Sequence, residues 1–190
     1  MILLRGDLTE QATDAIVNSA NPTLLGGGGV DGAIHSKAGP ELLEECKRIR
    51  ELQWPTGLPT GKAVITGGGR LRARYVIHTV GPVWTGGHRG EVAALRNAYV
   101  SSLELAESKG LRSVAFPSIS TGVFGFPVRE ASRLAIRTIA DYLAGGSTRG
   151  ALRKTRSLRE VTLVLFSEGD FGAYREALEE VGTKPHGGDP

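Results

Sequence analysis

Short apolar runs alternate along the chain with longer stretches in which apolar residues recur every three or four positions. The runs are rich in Val, Ile and Ala and are bounded by Gly, Pro or charge, which predicts strands at residues 2–5, 15–18, 63–66, 75–80, 113–117 and 161–166. The periodic stretches predict helices at residues 41–51, 91–108, 128–143 and 171–181. Apolar strands that alternate with helices are typical of a sheet covered on both faces. The pattern therefore predicts an α/β fold, a three-layer α/β/α sandwich with a mixed, largely parallel central sheet.

Composition indicates one folded domain. The chain has 190 residues, of which 40% are hydrophobic, and this content argues against global disorder. The 27 glycines show no Gly-X-Y period and there are only 9 prolines, which excludes a collagen-like chain. Because no internal repeat or second composition regime occurs, we expect a single domain over residues 1–182. We also expect a mobile Gly, Ser, Thr and Arg-rich connector at 144–156 and a disordered tail at 183–190.

Membrane, secretory and metal-binding features are not evident in the sequence. The first ten residues become charged after one short apolar run, unlike a secretory signal, and no window approaches the ~18 apolar residues of a membrane helix. Cys46 is the single cysteine, so it can form neither an internal disulfide nor a cysteine-based zinc site. We therefore expect a cytoplasmic monomer that uses no metal and no cofactor.

The charge balance gives little support for a nucleic-acid partner. The sequence pI of 9.2 reflects 23 basic against 20 acidic residues, a formal surplus of +3. One local basic cluster is present, and we interpret it as a solvated loop and helix face, with a binding patch as the alternative. Its members are Arg149, Arg153, Lys154, Arg156 and Arg159.

The glycines concentrate just beyond predicted strand ends, where open α/β sheets bind their ligands. Glycine lets backbone N–H groups approach a ligand closely, and successive amides form concave sites that suit phosphate. The distribution therefore predicts a phosphorylated small molecule as ligand. The groups are residues 26–29 with Gly32, residues 67–69, Gly86 with Gly87 and Gly90, and Gly122 with Gly125.

Other site types fit these residues less well. Gly27 to Gly32 match the dinucleotide-binding spacing G-x-G-x-x-G, but residues 22–25 separate them from the strand end, and the acidic residue at the right distance lies in a charged helix. The Gly61-Lys62 pair lacks the upstream glycine of a P-loop, and Ser118 and Ser120 lack the elbow motif of serine hydrolases. His35 and His78 have no cysteine or carboxylate at metal-ligand spacing, which predicts structural roles for both, and Cys46 is predicted to lie on a helix face.

Several motifs occur in a fixed order: GDLT at residues 6–9, DAIVNSAN at 14–21, LLGGGGVDGAIH at 24–35, YVIHTVGP at 75–82 and FPSISTGVFGFP at 116–127. Together they resemble a macrodomain of the MacroD type, over nearly the whole chain from residue 2 to about residue 181. The chain departs from the family pattern at residues 52–60, where relatives commonly carry a cysteine, and at residues 67–69, which replace an aromatic-containing turn. These departures leave open the contacts with the protein part of a substrate.

The resemblance implies that the protein binds ADP-ribose and hydrolyses ADP-ribose esters, removing mono-ADP-ribose from Asp and Glu side chains of proteins and deacetylating O-acetyl-ADP-ribose. By similarity, Asn21 and Asp31 are the catalytic residues that face the distal ribose. Asp7 would accept a hydrogen bond from the adenine amino group beside the Leu8 backbone, and Phe166 would stack on the adenine ring. The phosphate-side loops would comprise Gly28, Gly29 and Val30, and Ser120, Thr121, Gly122, Val123 and Phe124, with Phe124 packing on the distal ribose.

Alternatives remain at this point for the residues and for the whole protein. Asp31 as a helix N-cap would contribute about 1 kcal/mol to the helix, and Asp7 as a loop carboxylate would cap nearby amides. Phe124 and Phe166 as core aromatics would have no ligand role. The implied partners are ADP-ribose and ADP-ribosylated proteins. The alternatives are a reader module that binds ADP-ribose without cleavage and a hydrolase of ADP-ribosylated nucleic acid.

Overall fold

The computed structural model describes residues 1–145 and 157–182 and contains a six-stranded sheet between two helical layers. Most of the predicted connector and the predicted tail at 183–190 lie outside the described residues, as do Arg149, Arg153, Lys154 and Arg156. Within the described residues, no helix combines the length and apolar content needed to cross a membrane.

The strands are β1 (Ile2–Arg5), β2 (Ala15–Ala20), β3 (Ala63–Gly67), β4 (Tyr75–Val80), β5 (Ser113–Phe116) and β6 (Glu160–Leu165). The helices are α1 (Gly29–Ala38), α2 (Pro40–Leu52), α3 (Glu91–Ser108), α4 (Val128–Ala144) and α5 (Glu168–Gly182), with a 3₁₀ turn at Leu8–Glu10.

The sheet has the strand order β1-β6-β5-β2-β4-β3, and every neighbouring pair is parallel except β3 with β4. The exception follows from the connection, since β3 and β4 are joined by a short turn and a parallel pair would need a crossover. In that turn, a Cβ on Gly68 would lie 2.0 Å from the Ala73 carbonyl oxygen, so only glycine fits there. The predicted mixed, largely parallel sandwich is confirmed.

Two predicted boundaries need correction at the last strand and helix. The strand ends at Leu165, so Phe166 lies just beyond it, and α5 begins at Glu168 rather than at Phe171. The Ser167 hydroxyl accepts a hydrogen bond from the Asp170 amide at 3.0 Å, as an N-cap does, and the first turn carries acidic residues. Gly169 and Gly172 obscured this start, because glycine is a poor helix former.

Successive side chains of the central strand β2 point to opposite faces of the sheet, where two separate apolar clusters form. Ala15 and Val17 pack in the larger cluster with α3, α4 and α5, whereas Ile16 and Ala20 pack in the smaller cluster with α1 and α2. Asn18 shares the register of Ile16 and Ala20 and is fully buried. The sheet thereby places a polar side chain under α1.

Candidate active site

A cleft of about 620 Å³ opens beyond the carboxyl ends of β2, β5 and β6, beside the N-terminus of α1. This is the edge at which open α/β sheets bind ligands. Every residue predicted for the site lines this cleft, although the role of each stays a prediction. They are Asp7, Leu8, Asn21, Gly28, Gly29, Val30, Asp31, Ser120, Thr121, Gly122, Val123, Phe124 and Phe166.

The first predicted phosphate-side loop is the start of α1, which has no side-chain cap. Gly28 is the N-cap and offers no side-chain hydrogen bond to the helix, so the amides of the first turn have no partner within the helix. Gly29 has a φ of +59°, which favours glycine, and a Cβ on Gly32 would lie 2.4 Å from the Gly27 carbonyl oxygen. The glycine run therefore lets the backbone turn tightly, so that the N–H groups at the start of α1 face the cleft. The positive end of the helix dipole faces it as well.

The second predicted phosphate-side loop follows β5. It is closed by hydrogen bonds from the Phe126 amide to the Ser120 carbonyl and from the Gly125 amide to the Gly122 carbonyl, both at 2.9 Å. Ser120 has a φ of +67°, a strained conformation for a residue with a side chain. The Gly122 and Val123 amides find no acceptor in the part of the chain that the structure describes. They are free to bind an anion.

Asp31 is buried at the end of the cleft between α1 and β2, with only 4% of its surface exposed. Its Oδ1 accepts a hydrogen bond from Asn18 Nδ2 at 2.7 Å, and its Oδ2 lies 3.5 Å from Asn21 Nδ2. His35 Nε2 lies 3.5 Å from Oδ1. The N-cap interpretation of Asp31 is wrong, because Gly28 is the N-cap and the carboxylate of Asp31 turns toward β2.

Burial raises the pKa of Asp31 above its usual value of 3.8, and the Asn18 hydrogen bond and the nearby His35 oppose this shift in part. Such a carboxylate is a stronger base than a solvated one.

Asn21 holds the loop between β2 and α1. Its Nδ2 donates to the Gly26 carbonyl at 3.0 Å, and its Oδ1 accepts from the Thr23 amide at 2.9 Å. A Cβ on Gly27 would lie 3.1 Å from both Asn21 Nδ2 and Asp31 Oδ2. Glycine at this position thus keeps the space between the two predicted catalytic side chains open.

The predicted adenine end of the cleft contains Asp7 and Phe166. Asp7 Oδ1 accepts from the Thr9 amide at 2.8 Å and from the Thr9 hydroxyl at 2.6 Å, while Oδ2 lies 4.0 Å from Lys37 Nζ. The Thr9 hydrogen bonds, aided by Lys37, hold the pKa of Asp7 below its usual value. The capping interpretation is therefore correct for one oxygen of Asp7 and leaves the other as an acceptor.

Neither aromatic residue of the cleft belongs to the core, so the core-aromatic interpretation is wrong for both. Phe166 is 83% exposed, and Phe124 is half-buried and packs in neither apolar cluster. An exposed aromatic ring at the rim of a polar cleft is suited to stacking on a flat ligand.

Comparisons of the sequence and the structure with known proteins identify the family of this chain. The Macro domain family model matches residues 17–135. The chain is a macrodomain. It is 48% identical over 182 residues to an O-acetyl-ADP-ribose deacetylase of Escherichia fergusonii, a match that covers 96% of this chain and 97% of that protein.

Solved macrodomains share the fold of this macrodomain closely. The Oceanobacillus iheyensis macrodomain with ADP superposes with a TM-score of 0.86 at 44% identity, over 94% of this chain and 90% of that one. The Trypanosoma brucei macrodomain in complex with ADP-ribose superposes with a TM-score of 0.79 at 41% identity, over 93% of this chain and 68% of that one.

Sequence reasoning missed several residues that line the cleft or contact the residues lining it. Asn18 was not singled out, although a buried amide in an apolar strand needs partners and is for that reason a signal. Asp170, Pro117 and Ser118 also line the cleft. The two histidines were predicted to have no carboxylate or cysteine partner, and this prediction is wrong in the folded structure. His35 lies beside Asp31, and His78 Nε2 lies 3.8 Å from Cys46 Sγ. Spacing along the chain could not show the contact of His78 with Cys46, because it joins β4 to α2. Asp31 and His35 lie four residues apart in α1, a helical spacing that could have indicated their contact.

Proposed function

We propose that this macrodomain binds ADP-ribose and hydrolyses ADP-ribose esters, both O-acetyl-ADP-ribose and mono-ADP-ribose linked to Asp or Glu side chains of proteins. The observation that carries the proposal is the buried carboxylate of Asp31, which lies in the first turn of α1. The cleft beside it is lined by the uncapped N-terminus of α1 and by a second loop with amides that are unpaired within the described residues. The names of the deacetylase relative and of the ligand-bound neighbours support it.

Two sets of backbone amides suit a diphosphate. The start of α1 and the loop at Gly122 and Val123 both line the cleft. Among the described residues, the cleft lining includes no lysine or arginine, so amides and the α1 dipole would carry the attraction to the anion. The same geometry accepts the diphosphate of ADP-ribose without a metal ion.

Phe166 and Asp7 suit the adenine. We expect Phe166→Ala to weaken ADP-ribose binding roughly tenfold, because base–aromatic stacking contributes about 1–3 kcal/mol. Since the side chain is 83% exposed, the melting temperature should stay the same. Calorimetric titration with ADP-ribose measures the effect, and Phe166→Trp, which keeps an aromatic face, is the matched control. Equal affinity of the alanine variant and the wild type would remove Phe166 from the binding site.

Asp31 is the general base in this proposal. It accepts a proton from a water molecule whose oxygen attacks the ester, the ester C–O bond breaks, and the proton passes from Asp31 to the leaving oxygen, which yields ADP-ribose and the free acid. Asn21, which lies at the same end of the cleft, orients the distal ribose. The amide loops hold the diphosphate and so fix the ester near Asp31.

The pH dependence of kcat/KM should reflect the ionisation of Asp31. A general base must be ionised, so kcat/KM rises with pH through the pKa of Asp31, which burial places above 3.8. The Asn18 hydrogen bond lowers this pKa, so Asn18→Ala should raise it further and move the acidic limb to higher pH. Initial rates of acetate release from O-acetyl-ADP-ribose between pH 4 and pH 7 measure the limb. An acidic limb that stays in place or moves to lower pH in Asn18→Ala would contradict the assignment.

Two measurements on the wild-type protein test the proposal as a whole. Calorimetry with ADP-ribose should show saturable binding, and incubation with O-acetyl-ADP-ribose should release acetate in many-fold excess over protein. Binding without release would make the protein a reader module. Absence of binding would contradict the proposed function altogether.

A further inference from the structure

A buried chain of hydrogen bonds runs from Asp31 across three strands beneath the cleft. Asn18 Nδ2 on β2 lies 2.7 Å from Asp31 Oδ1 and 3.1 Å from His78 Nδ1 on β4. His78 Nε2 lies 2.9 Å from Thr66 Oγ1 on β3. Asn18 and His78 are directly paired across the two parallel strands, and both are fully buried. The register of the sheet thus connects the predicted general base to side chains outside the cleft.

The donors and acceptors of this chain can be assigned in one direction. Asn18 Nδ2 donates one hydrogen to Asp31 Oδ1 and directs its other hydrogen at His78 Nδ1, which therefore carries a lone pair and accepts it. A neutral His78 ring then holds its proton on Nε2 and donates it to Thr66 Oγ1, whose own hydrogen goes to the Gly67 carbonyl at 3.1 Å.

The orientation of the Asn18 amide follows from the two acceptors. A flipped amide would direct Oδ1 at both the Asp31 carboxylate and the His78 lone pair, which are two repulsive contacts. In the observed orientation, Asn18 Oδ1 has no partner within the described residues, a cost that the two donor contacts outweigh.

We propose that His78 is a positioning residue for ester hydrolysis, whose Nδ1 lone pair fixes the Asn18 amide so that it donates to Asp31 and aims the carboxylate into the cleft. The inference rests on the proposed function for its effect on rate, but its hydrogen-bond pattern can be measured without it. The hydrogen-bond partners of the His78 ring are Asn18, Cys46 and Thr66, none of which is predicted to bind ADP-ribose, so we expect its effect in kcat and not in affinity.

The protonation state of His78 supports this role. Burial lowers the pKa of His78 to about 3, with His35 contributing to the same shift, so the ring is neutral and the Nδ1 lone pair is present at neutral pH. A protonated ring would direct an N–H at the Asn18 amide, where it finds no acceptor.

The same assignment argues against a metal at the neighbouring cluster of His35, Cys46 and His78, whose ligand atoms lie within 4.8 Å of one another. A metal on His78 Nε2 would displace the proton donated to Thr66 and force a proton onto Nδ1, which breaks the contact with Asn18.

Two conservative variants of His78 test the proposal. In His78→Asn the carboxamide oxygen replaces Nδ1 as the acceptor for Asn18, whereas in His78→Gln the carboxamide nitrogen replaces Nε2 and the acceptor is lost. With O-acetyl-ADP-ribose we expect kcat within about threefold of wild type for His78→Asn and about tenfold lower for His78→Gln, with the ADP-ribose Kd unchanged in both. Equal losses of kcat in the two variants, or a Kd that weakens in parallel with kcat, would overturn the proposal.

A gentler pair of variants at Thr66 covers the case in which the His78 variants fail to fold. Thr66→Val removes the acceptor for Nε2–H at nearly constant volume, and Thr66→Ser keeps it. We expect Thr66→Val to lower kcat about threefold or more and Thr66→Ser to leave it unchanged. The reverse order, or equal rates in both, would overturn the proposal.

Nitrogen NMR of the His78 ring separates failure of this inference from failure of the proposed function. We expect the Nε2–H tautomer in the wild-type protein at neutral pH. An Nδ1–H tautomer in a protein that hydrolyses the ester would overturn the positioning role alone. The expected tautomer in a protein with no hydrolysis would instead overturn the proposed function.

Discussion

Asp31→Ala should lose turnover of O-acetyl-ADP-ribose by a factor on the order of 10²–10⁴, the usual contribution of a general base, and should keep ADP-ribose binding within a few-fold. The carboxylate is buried between α1 and β2 and is not one of the backbone amides predicted to bind the diphosphate. Its removal therefore affects the chemical step far more than the affinity. Acetate release under saturating substrate and calorimetry with ADP-ribose measure the two effects separately.

Two further variants sharpen this test. Asp31→Asn preserves the volume and removes the ability to accept a proton, so it should be as slow as Asp31→Ala while its melting temperature stays at or above that of wild type, because a buried charge is lost. Asp141→Asn neutralises an exposed carboxylate on α4 that does not line the cleft and should turn over normally. Wild-type turnover by Asp31→Asn would remove Asp31 from the mechanism.

Gly28→Glu and Gly122→Glu should each weaken ADP-ribose binding on the order of 100-fold or more, because juxtaposed like charges cost several kcal/mol. Each variant directs a carboxylate at the space predicted for the diphosphate. Both should fold normally, because a Cβ at either position meets nothing within 4 Å and neither residue has a positive φ. Calorimetry and thermal melting, performed on the same samples, measure binding and folding.

Matched variants distinguish charge in the cleft from the loss of glycine itself. Gly28→Ala adds a methyl group in open space and should retain most of the affinity, and Gly172→Glu on α5 adds the same charge away from the cleft and should bind normally. Gly32→Ala should instead destabilise the protein, since its Cβ would lie 2.4 Å from the Gly27 carbonyl oxygen. Normal affinity in either cleft glutamate variant would contradict the role assigned to the glycine loops.

The layered fold was predictable because strand and helix periods are local signals. The buried strand β4 and the long helix α3 have the bounds that the apolar pattern predicts. The apolar pattern did not predict helix α1, and only the N-cap alternative for Asp31 implied a helix there, because its start at Gly29 lies in a glycine run that favours neither helix nor strand. The start of α5 was missed for the same reason.

The residues of the cleft could be named from the resemblance, but their chemistry depends on contacts across elements. Sequence suggested that Asp31 caps a helix or acts in catalysis, and only the distance to Asn18 shows which way its carboxylate turns. The connection from Asn18 to His78 and Thr66 joins three strands. Such a network depends on sheet register, which a single strand's pattern does not determine.

The most direct test of ester hydrolysis is mass spectrometry of ADP-ribosylated peptides before and after incubation with the protein. Asp/Glu-linked, Arg-linked, Ser-linked and DNA-linked substrates are compared in parallel, with Asp31→Asn as the inactive control. We expect the modification to disappear from Asp and Glu side chains with the wild-type protein and to persist with Asp31→Asn. Tight binding of ADP-ribose with every linkage intact would contradict the hydrolase and leave a reader of ADP-ribosylation.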